Sequence, residues 1–197
     1  MNNMKKDIIL AGVGGQGILS IATVIGEACL KENLYLKQAE VHGMSQRGGD
    51  VQSNLRISTI PIASDRIAVG ECDLIISLEP MEALRYIPFL AKDGWIVTNT
   101  QPFVNISNYP ELEDIYKDLK AVGNVIMVDV DKLAKEAGNS RGANMVLLGA
   151  CSHLLGIDAS KFEDGVRRVF SSKGDVIVES NIKAFKAGQK VAENIKI

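Results

Sequence analysis

Three observations predict an α/β chain, with a Rossmann-like three-layer fold, a mostly parallel sheet and one antiparallel strand at the edge. First, short apolar runs alternate with helical periodicities along all 197 residues, as in sheets whose strands are joined by crossover helices. Second, the apolar run Ile8–Ala11 breaks into Gly12-Val13-Gly14-Gly15-Gln16-Gly17, and an apolar-periodic segment follows from Ile18 to Leu30. Strand, glycine turn, helix is the order that holds a phosphate or packs a βα unit tightly. Third, Val51, Ser53, Leu55 and Ile57 alternate with Gln52, Asn54, Arg56 and Ser58 directly after a loop, with no crossover helix before them. A strand entered that way runs antiparallel, and its polar face leaves it half-exposed at or near an edge.

The expected strands are 7–12, 34–41, 51–58, 73–78, 95–99 and 125–130. The expected helices are 16–32, 80–91, 111–121, 131–137, 143–156, 159–170 and 178–195. The helix opening at residue 16 presents unpaired N–H groups and a partial positive charge, which suit an anion. Strand 34–41 carries Glu40 near its end, where a dinucleotide site would hold its ribose-binding acid. Glu79-Pro80 fits a helix start, because a proline at the first position forfeits no hydrogen bond. Segment 143–156 is apolar nearly all round, so the sheet or another chain should bury it. The last helix reads as amphipathic and docked, with Gly188 a local weak point. No repeat, low-complexity tract or linker interrupts the chain, and residues 1–197 are expected to form a single domain.

Composition excludes several classes of function. A net charge of −2 and a pI near 5.8 argue against nucleic acid and anionic membrane as partners, because both demand a cationic surface. Cys29, Cys72 and Cys151 are scattered, with no C-x-x-C, so neither an iron–sulfur cluster nor a structural zinc fits within the chain. They read as buried reduced thiols of a reducing compartment. Only two histidines are present, His42 and His153, without H-E-x-x-H, so no metal site is expected. From Ile8 to Gly26 no residue is charged. Five glycines and several polar residues interrupt that stretch, and it reads as strand, turn and helix, not as a membrane span. A cytoplasmic protein is expected.

His42-Gly43-Met44-Ser45-Gln46-Arg47-Gly48-Gly49-Asp50 is the second unusual stretch. It follows the second strand, on the carboxyl edge where open α/β sheets bind ligands, and so lies beside the glycine turn. Arg47 sets a planar donor fork next to two glycines whose backbone allows close approach, an arrangement that suits phosphate or carboxylate. A solvated connector explains the same residues. His42 titrates near neutrality, but no carboxylate neighbours it in sequence. His153, within the apolar helix pattern, reads as a core or interface residue.

Taken together, Gly12-Val13-Gly14-Gly15-Gln16-Gly17, Glu40–Gly49 and the strand ending Arg56-Ile57-Ser58 resemble the gamma-type subunit or domain of the 2-oxoacid:ferredoxin oxidoreductases. The His42–Gly49 wording is most similar to indolepyruvate-type members. Arg141-Gly142-Ala143-Asn144-Met145 is similar too, and the resemblance spans roughly residues 7–190. It implies an oxidative decarboxylation of a 2-oxoacid with coenzyme A and ferredoxin, for which a thiamine cofactor and an electron sink are needed. This chain has no G-D-G with a downstream Asn-Asn. Its nearest imitation is Glu163-Asp164-Gly165 with Asn194.

The resemblance therefore implies a non-redox small subunit that binds no cofactor itself. Thiamine diphosphate and iron–sulfur clusters belong to a larger partner, ferredoxin is reached through the complex, and coenzyme A is the co-substrate. Gly12, Gly14, Gly15, Gln16, Gly17, Arg47, Gly48 and Gly49 then form a ligand or partner-subunit face. Arg47 and His42 are the catalytic candidates. A gamma subunit of a 2-oxoglutarate or other 2-oxoacid enzyme, a stand-alone NAD- or FAD-binding oxidoreductase using Gly12, Gly14, Gly17 and Glu40, and a ligand-free interaction module remain alternatives. An exposed docking face also leaves a homodimer of the isolated chain open.

Overall fold

Successive side chains of a strand face opposite ways, and the first strand, β1 (Lys5–Val13), is apolar on both sides. Ile8 and Leu10 enter one core, while Ile9 and Ala11 enter another. A computed structural model describes residues 4–42 and 48–193. Among them, the other strands are β2 (Tyr35–His42), β3 (Asp50–Ser58), β4 (Cys72–Ser77), β5 (Leu90–Asn99) and β6 (Val125–Val128). The helices are α1 (Ile18–Lys31), α2 (Pro80–Arg85), α3 (Leu112–Ala121), α4 (Val130–Glu136), α5 (Ala143–Cys151), α6 (Ala159–Phe170) and α7 (Asp175–Glu193). The larger core receives α1 and α4–α7, and the smaller receives α2 and α3. The result is helix, sheet, helix.

The sheet runs β2-β3-β1-β4-β5-β6. β1, β4, β5 and β6 pair in parallel. β3 is antiparallel to both β1 and β2, one strand in from the edge, and β2 lies outermost. Ser53, Leu55 and Ile57 of β3 are buried while Gln52, Asn54 and Arg56 are only partly covered, as the alternation predicts. On that partly covered face Arg56 forms a forked pair with the buried Asp7, Nε to Oδ1 at 2.8 Å and Nη2 to Oδ2 at 3.0 Å. Register is thus held by a charge pair as well as by the apolar face.

Two expected helices are shorter than their patterns. Helix 80–91 stops at Arg85, a 3-10 turn spans Ile87–Phe89, and β5 begins at Leu90. Pro88 has no N–H for the ladder and disfavours helical backbone at Ile87. Segment 143–156 leaves α-geometry at Ser152 for a 3-10 turn over Ser152–Leu155.

What buries α5 is α7 as well as the sheet. A Cβ on Gly188 would fall 1.9 Å from Val146 O, and one on Gly149 would fall 2.0 Å from Phe185 O. Gly188, expected as a weak point, is where the two backbones touch. We expect Gly149→Ala and Gly188→Ala each to lower unfolding free energy by about 3 kcal/mol, the upper end of overpacking costs. Urea titration measures it, and a loss below about 0.5 kcal/mol would show that the helices part readily.

Candidate functional site

The glycine turn is held from inside. Gln16 folds under it: Oε1 accepts the Val13 N–H at 2.7 Å, and Nε2 donates to Leu78 O at 3.1 Å. Gly17 takes left-handed backbone (φ 89°) and caps α1 with no side-chain hydrogen bond. Its carbonyl accepts Asn144 Nδ2 at 3.2 Å, and a Cβ there would lie 2.6 Å from that same nitrogen. Gly15 is exposed, with open space above its Cα.

The turn is also paired from outside. Gly14 N–H donates to Gly49 O at 2.8 Å, and Gly48 N–H donates to Gly14 O at 3.3 Å. These bonds extend the β1–β3 ladder, whose register ends at Val13 opposite Asp50. Gly12, Gly14, Gly15, Gln16, Gly17, Gly48 and Gly49 are therefore brought together, as the sequence predicts. Gln16 is the exception in role, since both its polar ends face inward. Gly43–Arg47 lie outside the described residues, and so does the side chain of His42, the last residue of β2.

Beside the turn is a cleft of about 360 Å³, bounded by Gly14, Gly15, Gly17, Leu19, Glu40 and Val51. Its lining holds one charged side chain among the described residues, Glu40. In a dinucleotide fold the second strand pairs directly with the first. Here β3 separates them, so the end of β2 lies about 10 Å from β1, two strand spacings away. The amide of Gly14, which a phosphate would want, is already donated.

Two further loops join this edge. Leu78 O, after β4, accepts from Gln16 and also from Asn99 Nδ2 at 3.4 Å. In segment 100–110, after β5, Asn105 Nδ2 donates to Gly48 O. Asp50, which closes the second loop, accepts the Tyr86 hydroxyl at 3.1 Å. The Asp50 carboxyl also acts on that of Glu82, and Arg85 donates to both Glu82 oxygens, Nε at 2.8 Å and Nη2 at 3.2 Å. Burial raises the Glu82 pKa, the Arg85 guanidinium opposes the rise, and the nearby Asp50 carboxyl adds to it.

The sequence pattern of the pyruvate ferredoxin/flavodoxin oxidoreductase family matches residues 7–191. The chain belongs to this family. It is 37% identical over 199 residues to the indolepyruvate oxidoreductase subunit IorB of Pyrococcus horikoshii, covering 96% of both chains. Among solved structures, it resembles the gamma subunit of a keto/oxoacid ferredoxin oxidoreductase from Geobacter sulfurreducens. That likeness has TM-score 0.68 and 25% identity, and covers 96% of this chain and 99% of the other. The fold also matches 2-oxoglutarate:ferredoxin oxidoreductase from Magnetococcus marinus, a structure with 2-oxoglutarate, coenzyme A and succinyl-CoA bound. There the TM-score is 0.77 at 22% identity, covering 98% of this chain and 32% of that one.

Several residues that build this family member's edge carry little signal in sequence. Asn144 sits in the Arg141–Met145 motif, yet its bond to Gly17 spans 127 positions. Glu79-Pro80 starts α2 as expected, and the Glu79 side chain, for which no role was legible in sequence, accepts the Glu82 N–H. Tyr86 and Asn105 have no local pattern that points to them. The three cysteines are free and buried as expected, and burial pushes the Cys29 and Cys72 thiols up to about 12 and Cys151 higher still. They stay protonated and unreactive at neutral pH. His153 is exposed, so the core reading of it is corrected: it falls in the 3-10 turn, facing outward. Among the described residues no cluster fit to hold a metal occurs, and no helix is long and apolar enough to cross a membrane.

Gln16→Leu strands the Val13 N–H and one bond to Leu78 O, and we expect a loss of about 2 kcal/mol by chemical denaturation. A loss near zero would mean that water replaces the amide. Glu82 gives a pH test. Its pKa is raised on folding, so its contribution is present at low pH and disappears as pH climbs through its folded value. Urea midpoints should therefore decline from about pH 4.5 upward, and Glu82→Gln should flatten that decline. Parallel profiles for the two proteins would show that folding does not raise the Glu82 pKa.

Proposed function

We propose that this chain is the non-redox small subunit of an indolepyruvate-type (arylpyruvate) 2-oxoacid:ferredoxin oxidoreductase, and that its carboxyl-edge loops close the reaction centre of a larger subunit. The observation that carries the reading is 37% identity to an indolepyruvate oxidoreductase subunit over 96% of both chains. The reaction converts a 2-oxoacid, coenzyme A and oxidised ferredoxin to acyl-CoA, carbon dioxide and reduced ferredoxin. Thiamine diphosphate and iron–sulfur clusters in the larger subunit supply the carbanion stabilisation and the electron path.

What this chain contributes is a shaped wall, formed as one gamma-type domain over residues 1–197. The turn at Gly12–Gly17 is braced by Gln16 and Gly49 and offers the open backbone of Gly15. The α1 N-terminus has no side-chain cap, which favours an anionic group, whereas Glu40 across the cleft opposes one. A phosphate or carboxylate therefore needs a cation beside it, and Arg47, two residues before Gly49, is the cation this chain supplies. The Magnetococcus structure that shares this fold has coenzyme A bound. His42 is a second candidate on the same loop.

Anaerobic reconstitution tests the reading. The chain alone should be colourless and inert towards indolepyruvate. Addition of the larger subunit should give turnover dependent on coenzyme A and ferredoxin. Arg47→Ala should raise the coenzyme A KM about tenfold, the cost of one charge-assisted contact. Oxidation of a 2-oxoacid by the lone chain, with bound flavin or nicotinamide, would overturn the assignment.

A further inference from the structure

We infer that segment 100–110, between β5 and α3, is a second docking element for the larger subunit, and that the buried carboxylate of Glu79 holds it in shape. The inference rests on the function proposed above. Phe103, Val104 and Ile106 are exposed by 43%, 66% and 41%. Three such side chains on one connection are costly to leave in water, and their clustering marks a contact surface.

The chemistry of the segment identifies the kind of partner. No residue from Gly94 to Pro110 is charged, in a chain that is 23% charged. Apolar side chains fringed by neutral amides, here Gln101, Asn105 and Asn108, are the composition of the centre of a protein interface. An anionic lipid surface would call for lysine or arginine, and the segment has neither. Position selects which protein. Asn105 donates to Gly48 O, so the segment is hydrogen-bonded to the loop that pairs with the glycine turn. A partner covering Gly15 and Gly48 meets Phe103 and Val104 on the same edge.

Glu79 makes this display rigid. It is 0% exposed, and no lysine or arginine forms an ion pair with it among the described residues. A buried carboxylate of that kind is expensive unless donors surround it. Oε1 accepts the Phe103 N–H at 3.3 Å and the Tyr109 hydroxyl, and Oε2 accepts the Glu82 N–H at 2.8 Å. One side chain thereby ties the start of α2 to both ends of the apolar stretch. Glu79 and Tyr109 are positioning residues, and Phe103 and Val104 make the contact.

The test measures affinity of the full chain for the purified larger subunit under anaerobic conditions, with thermal unfolding of each variant alongside. The double variant Phe103→Ser/Val104→Ser should weaken binding at least tenfold with its melting temperature unchanged. Phe103→Leu, which keeps the apolar contact, should stay within threefold. Tyr109→Phe, which removes one bond to Glu79 and leaves Phe103, Val104 and Ile106 unchanged, should weaken binding severalfold. Val176→Ser, an equally apolar exposed change on α7, should have no effect. Wild-type binding to the larger subunit with unaltered affinity in the serine double variant overturns the inference alone. So does a serine variant that loses self-association of the isolated chain while keeping the larger subunit. Absence of any wild-type complex overturns the function proposed above.

Discussion

The placement of one antiparallel strand governs this molecule. β3 enters the sheet between β1 and β2, pairs with both, and carries its ladder past Val13 onto Gly14 through the carbonyl of Gly49 and the amide of Gly48. Everything at the functional edge follows from that pairing. In the glycine turn, the Gly14 amide is donated to Gly49. Glu40 moves one strand further out than an adenosine-binding acid would stand. The loop ahead of β3 is delivered against the turn, where it becomes part of the same surface. The turn is thereby braced by its neighbouring strand, with its glycines in place.

The platform is unusual in how little of it depends on any one loop. Leu78 O is shared by Gln16 and Asn99, Gly48 O is held by Asn105, and Gly17 O by Asn144. Connections after β1, β2, β4 and β5 are therefore one hydrogen-bonded unit, with the start of α5 joined to it. Most of these bonds use neutral amides. Their geometry is independent of pH.

Rigidity at the edge is backed by close packing behind it. Gly149 and Gly188 let α5 and α7 meet backbone to backbone, and Gly165 brings α6 within 2.8 Å of Val24 O as measured from a Cβ. Phe162 and Phe185 fill the space between, with ring centroids 6.1 Å apart. These crossings press α5 against the sheet, and Asn144 at its start thus reaches Gly17 with little slack. The start of α5 is thereby joined to the cap of α1.

Sequence by itself determined the element order, the antiparallel character of residues 51–58, the burial of 143–156 and the proximity of the two glycine-bearing loops. Each of these follows from periodicity or from short-range turn chemistry, which a linear pattern records. Family membership was legible as well, because Glu40–Gly49 and the glycine turn are contiguous words. Tertiary structure decided the rest. No local signal says that β3 inserts between two strands instead of lying outside them, that Gln16 turns inward, or that Gly188 is a contact and not a flaw. Asp50 with Tyr86, Asn105 with Gly48 and Asn144 with Gly17 meet across 36, 57 and 127 positions. Such pairings are selected by the shape into which the whole chain packs, and neighbours in sequence carry no trace of them.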